Sequence, residues 1–262
     1  MRYALSAMAL LLAAPAWADA PCGDLGECRV YIEINAIDGD IGFHTLFDGD
    51  GWETAQMTGP DGTPLLDTEL SGALSDQTLT ENFFESAEPV CEPGLAEEPD
   101  EEVVTLPEFL SRFPAGSYGF SLDSGDQTGS TMLTHMIPAA PAEVEFDGKW
   151  ISWQYGEDLG ECTTWPDGFG VAPESSIIAY EVVVEPDDDE LSQFAVTLRV
   201  PAEVNQVRVP RAYLRSLPPG TPLKVEVGAI EGRPDGSFGN QTFTEEDGFC
   251  NLRNQHQCSE EE

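Results

Sequence analysis

Carboxylates at alternate positions carry the most chemistry in this chain. Asp38-Gly39-Asp40 and Asp48-Gly49-Asp50-Gly51 each set two acids either side of a glycine, and Glu53 follows closely. Glycine lets the backbone curl so that carboxylates and a carbonyl converge on one point. Calcium takes about six to eight oxygen ligands. Asp38, Asp40, Asp48, Asp50 and Glu53 are therefore the candidate metal ligands, and calcium is the one cofactor the sequence suggests. The pattern is not an EF-hand, because the D-x-[DN]-x-[DN]-G run and its distal Glu are missing. Turn chemistry is the competing reading, since Asp-Gly is a favoured hairpin pair. Both readings stand at this point.

His44, His135 and His256 are the only histidines. Three imidazoles could bind zinc or act as a general base. Their surroundings offer no H-E-x-x-H, G-x-S-x-G or S-x-x-K and no glycine-rich phosphate loop. A structural or exposed role is the expectation for each. A carboxylate pair for glycoside hydrolysis could be drawn from 49 acids, which makes any chosen pair uninformative. No catalytic residue is assigned. Trp165 and Phe169 stand in the loop Glu161–Phe169. They can stack on a sugar or a partner as ligand-binding residues, or pack onto the preceding domain.

The elements that must hold these groups read as strands. Val30, Ile32 and Ile34 alternate with Tyr31, Glu33 and Asn35, the period of a half-buried strand. Pro60-Asp61-Gly62 turns between strands at 52–58 and 63–70. Tyr118, Phe120 and Leu122 alternate again, and 132–137 reads as a last strand. One helix is expected after Thr105, with Glu108 completing a capping box, and a second short helical turn from Thr78. Residues 92–102 form an acidic, proline-containing loop that lacks apolar surface to bury.

Arg2 followed by the apolar run Ala4–Ala14 and then Ala16-Trp17-Ala18 reads as a signal peptide, with the mature chain starting near Asp19. No second apolar run reaches about 18 residues, so no transmembrane segment is expected in the mature chain. The chain is read as secreted or periplasmic. Eleven basic against 49 acidic residues give a formal charge of −38. Such a surface repels nucleic acid and anionic membranes and suits a saline medium. Six cysteines, Cys22, Cys28, Cys91, Cys162, Cys250 and Cys258, form an even set in an exported chain, which points to disulfides. Close spacing suggests Cys22–Cys28 and Cys250–Cys258 as local loops, leaving Cys91 and Cys162 to join the two halves.

Residues 138–248 resemble a fibronectin type III module. The resemblance rests on Trp150-Ile151-Ser152-Trp153, on Ile177–Val184, on the alternation Phe194-Val196-Leu198-Val200, on Leu217–Leu223 and on Gly239-Asn240-Gln241-Thr242. It implies a β-sandwich with Trp153 and Tyr180 in its core. Where that family has a tyrosine tying the turn into the sixth strand, this chain has Leu223. Glu33–Phe43, Phe84–Pro89 and Leu133-Thr134-His135 resemble a family of secreted proteobacterial proteins of unassigned function.

The expected fold is all-β, with two β-sandwich domains. Residues 1–18 are the signal peptide, 19–137 the first domain with one or two short helices, 138–248 the type III-like domain and 249–262 a cysteine-containing acidic tail. The expected function is that of an exported, non-enzymatic binding or structural module whose partner is a glycan or a protein. The alternatives are a calcium-stabilised adhesin-like module and a hydrolase using a carboxylate pair or His135.

Overall fold

The computed structural model describes residues 22–96, 102–188 and 190–250. The expected leader, the centre of the acidic loop, His256 and the Cys250–Cys258 pair lie outside those residues or rest on side chains beyond them.

One sheet organises the molecule. Its seven strands run in the order β11-β10-β13-β14-β1-β2-β5, where β1 is Glu27–Asn35, β2 Asp40–Trp52, β5 Leu79–Glu85, β10 Ile177–Pro186, β11 Val196–Pro201, β13 Pro222–Gly232 and β14 Phe238–Cys250. Two smaller sheets lie against it. The first is β4-β3-β6-β7, made of β3 (Thr54–Thr58), β4 (Pro64–Glu69), β6 (Gly116–Leu122) and β7 (Gln127–Leu133). The second is β12-β9-β8, made of β8 (Ala142–Phe146), β9 (Trp150–Gln154) and β12 (Gln206–Arg208).

The second half is the seven-stranded sandwich that the type III resemblance implies. Its first, second and fifth strands face its third, fourth, sixth and seventh. Trp153 and Tyr180 meet edge to face at 5.3 Å inside it, among Ile151, Val182, Val184, Val225 and Val227. The first half makes its own core from Val30, Ile32, Ile34, Phe43 and Phe47 against Met57, Tyr118, Phe120 and Leu122. The two halves are joined edge to edge. The last strand of the sandwich, β14, pairs in parallel with β1 through Glu33↔Gln241 and Asn35↔Phe243.

Register explains why one face of the long sheet is covered and the other open. Even-numbered residues of β1 and β14 and odd-numbered residues of β13 share a face, because Ile34 pairs with Thr242 and Thr242 with Ala229. That face carries both cores. The opposite face carries Tyr31, Glu33, Gln241, Phe243, Glu226 and Glu181. Antiparallel-rich sheets commonly leave one side to water in this way.

Among the described residues three short α-helices decorate the sheets: α1 (Ala73–Gln77), α2 (Leu106–Arg112) and α3 (Arg211–Ser216). Helix α2 follows Thr105 as expected, but the Thr105 side chain makes no capping bond. The helical turn expected from Thr78 is instead strand β5. Thr78 ends α1 with φ 61°, and the residues after it pair with β2 from Trp52↔Leu79 to His44↔Glu85. The strand expected at 132–137 stops at Leu133, since the carbonyls of Thr134 and Met136 serve Asn240 instead of a ladder. A tyrosine on α3 makes a different tie: the Tyr213 hydroxyl donates to Val184 O on β10 at 2.9 Å.

Among the described residues two disulfides are present, Cys22–Cys28 and Cys91–Cys162, one of the local loops and the cross-link expected. Among the described residues no helix is long and apolar enough to cross a membrane.

Candidate binding face

The open face of the seven-stranded sheet holds a shallow depression of about 450 Å³. All seven strands deliver its walls. β1 brings Arg29, Tyr31, Glu33 and Asn35, β2 brings His44, and β5 brings Phe83 and Glu85. From the other half come Gln241, Phe243 and Glu245 on β14, Lys224 and Glu226 on β13, and Glu181 and Val183 on β10, with Arg199 on β11 at the edge. The depression straddles the β1–β14 seam, so neither half forms it alone.

Two features of sequence make the depression. Gly228 and Gly42 stand where side chains would otherwise rise from the sheet. A Cβ on Gly228 would strike the Phe243 ring at 2.5 Å. One on Gly42 would lie 2.6 Å from His44 Nε2 and 2.7 Å from Glu88 Oε1. Glycine at 42 therefore lets Glu88, from the segment after β5, reach over β2 to His44.

His44 is the centre of the site. It is 3% exposed, and neither ring nitrogen makes a hydrogen bond. Nε2 faces Glu88 at 3.6 Å and Nδ1 faces Glu85 at 3.8 Å. Tyr31, its cross-strand partner, stacks on the ring at 4.8 Å and 20°. Phe83 tilts against it at 6.0 Å, and the Arg29 guanidinium lies over Tyr31 at 4.6 Å. Glu33 accepts a hydrogen bond from the Gln241 amide across the seam.

Acid crowding shows in the protonation of these groups. Burial raises the Glu33 carboxyl above its ordinary range. Burial and then the Glu88 charge push Asp40 up to about 6. His44 holds Glu88 below its usual value, whereas burial and the neighbouring Glu88 raise Glu85. Tyr31 is pushed up to about 12 by burial and then by Glu33. Two cations on this face, Lys224 and Arg199, are already engaged in ion pairs. Lys224 bridges Glu185, Glu226 and Glu245 at 3.2, 3.3 and 3.0 Å. Burial opposes its charge, but those acids hold its pKa above the ordinary value. Arg199 pairs with Glu181 across β10 and β11.

The residues singled out from sequence fall elsewhere. Asp38 and Asp40 stand at one end of β2, and Asp48, Asp50 and Glu53 at the other. Eight residues of strand separate Asp40 from Asp48, roughly 26 Å, so the five carboxylates cannot share one ion. Asp38 Oδ2 accepts from the Asn35 amide at 2.8 Å, and Glu53 Oε2 accepts from Ser75 at 2.6 Å. Trp165 and Phe169 are half-buried and pack against the first core. They contact each other at 5.6 Å, and Trp165 Nε1 donates to Cys162 O at 2.7 Å. The Cys91–Cys162 bridge and Glu92, which accepts from Thr163 and Thr164 N–H, pin that loop to the first half. His135 lies within 2.9 Å of Phe113 O and is remote from the open face.

His44 was the residue sequence reasoning set aside. Its local signal is slight: it occupies the open face of β2, while its carboxylate partners are contributed by β1 and by residues some forty positions later. Pairing of β2 with both β1 and β5 brings them together.

No family model matches this chain, and no curated protein matches it. Among solved structures, the chicken CNTN1 FN1-FN3 domains are similar at 11% identity and TM-score 0.30, over 87% of this chain and 68% of that one. A biofilm-associated protein BSP domain is similar at 12% identity and TM-score 0.22, over 85% of this chain and 29% of that one. The sandwich of the second half is identified by its own strand order. The two disulfides fit an oxidising compartment.

Proposed function

We propose that the chain is an exported, non-enzymatic recognition module that presents the open face of its seven-stranded sheet to a macromolecular partner. One observation carries this reading. Both cores are confined to one side of a single sheet, and the opposite side keeps a recessed centre with aromatic and acidic groups from both halves. Rigid strands hold these groups, as precise recognition requires. The exposed Phe83 ring offers an apolar anchor of the kind that dominates interface energies. Surplus carboxylates around engaged cations favour a partner that brings positive charge. A protein with a basic surface fits best; a glycan would use the same carboxylates and amides as hydroxyl acceptors and donors.

The test is capture of partners from the secreted and envelope fractions of the source cells by the immobilised mature chain, alongside a glycan array. Phe83→Ala at unchanged melting temperature, and Glu226→Lys in a chain still folded by circular dichroism, should abolish the captured species, whereas Leu65→Ala, on β4 of the small sheet, should not. Capture that survives both face variants would overturn the proposal.

A further inference from the structure

We infer that Glu33, His44 and Glu88 form a binding site for a divalent transition-metal ion of the zinc class. One ligand atom from each lies within 4.8 Å of the others. The independent observation is His44 itself, almost wholly buried with both nitrogens lacking hydrogen bonds, an arrangement that ordinarily costs stability. Its distances to the acids distinguish the ways of satisfying it. At 3.6 Å, Nε2 and Glu88 are too far apart for a good direct hydrogen bond. A bridging water would hold them about 4.6 Å apart. Ligands at about 2.0–2.2 Å from a tetrahedral zinc stand about 3.3 Å from one another, near the 3.6 Å between Nε2 and Glu88; the remaining gaps, up to 4.8 Å, require the carboxylates to close in on the ion.

The surroundings have the character of an outer shell. Glu85 stands 3.8 Å from Nδ1, the nitrogen that would stay protonated when Nε2 binds metal; it makes no hydrogen bond to it here, and a small side-chain movement would let it accept one, as carboxylates do behind many metal-bound histidines. Gln241 holds Glu33, and Tyr31 fixes the imidazole plane. Gly42 keeps the space between His44 and Glu88 free of a side chain. Imidazole among the ligands selects against calcium and magnesium. Two carboxylates and one imidazole leave the fourth tetrahedral position open.

The experiment titrates the chelator-stripped, oxidised protein with Zn²⁺ by calorimetry and with Co²⁺ by visible absorption, in about 0.5 M salt so that diffuse counterion binding is screened. The expected result is one saturable site per chain with cobalt ligand-field bands. His44→Gln and Glu88→Gln should each weaken it at least about tenfold, and Glu85→Gln about tenfold through the outer shell. Gly42→Ala should also weaken it, while Asp38→Asn with Asp48→Asn should leave it unchanged. Glu88 is exposed, so Glu88→Gln remains decisive even where His44→Gln impairs folding. Histidine side-chain NMR should show Nε2 of His44 shifting on zinc addition. Absence of a single saturable site, affinity indifferent to Glu88→Gln, or equal filling by Ca²⁺ would overturn the inference.

Discussion

Asn240→Ala should be among the most damaging single substitutions in this protein. Asn240 is wholly buried at the seam where β14 meets β1. Its Oδ1 accepts from Ile32 N–H at 2.9 Å. Its Nδ2 donates to Thr134 O and Oγ1 at 3.0 and 3.1 Å and to Met136 O at 3.3 Å. Alanine leaves the Ile32 N–H and at least one carbonyl buried without partners. Each orphan costs about 1–3 kcal/mol, so the expected loss is about 3–5 kcal/mol, a large share of the roughly 5–15 kcal/mol that holds a typical domain. For a chain of this size that lowers the midpoint by roughly 10 °C. Asn240→Asp sharpens the test. It keeps the acceptor for Ile32 but turns a donor into an oxygen facing two carbonyls, so it should be at least as harmful at neutral pH and be partly relieved in acid. Urea unfolding followed by fluorescence and far-UV circular dichroism measures both. A cost below about 1 kcal/mol for Asn240→Ala would refute the idea that this network joins the two halves.

Removing the Cys91–Cys162 bridge by paired serine substitution should cost about 4 kcal/mol by loop-closure entropy over its 71-residue separation, and denaturant midpoints would show it. Glu231 is buried at the seam, accepting from Thr134 Oγ1 at 2.6 Å and Asn240 N–H at 3.1 Å, and burial raises its carboxyl. The folded state thus holds this proton more tightly than the unfolded chain. Its contribution is full below the ordinary carboxylate range and declines as pH rises through the raised value. Stability of the wild type relative to Glu231→Gln should therefore fall with rising pH; a rise would contradict the assignment. Melting in millimolar calcium and in millimolar magnesium should coincide, because the two acidic turns stand at opposite ends of β2.

Much of the fold was legible because period-2 patterns are local. The alternation of Val30, Ile32 and Ile34, and of Val196, Leu198 and Val200, gave each strand and its core-facing side. The two disulfides were legible from spacing and from what spacing left over. The shared sheet was not legible, since nothing in 27–35 or 238–250 encodes which neighbour each strand takes across two hundred residues. The start of β5 reads as a helical turn because Thr78 resembles a helix cap, and tertiary pairing with β2 overrode that local preference. The acidic turns drew the metal expectation because their carboxylates are adjacent in sequence. A thirteen-residue strand then holds them apart, while Glu33, His44 and Glu88, distant in sequence, meet over Gly42.

The most direct test of the account is a hydrogen-exchange footprint of the captured partner complex. The open-face account predicts slowed exchange in β1, in β2 around His44, in 83–88 and in β13 and β14 around Glu226 and Phe243, on both sides of the seam. Protection confined to the Trp165 loop or to the turns at Asp38 and Asp48, with the sheet unchanged, would contradict it.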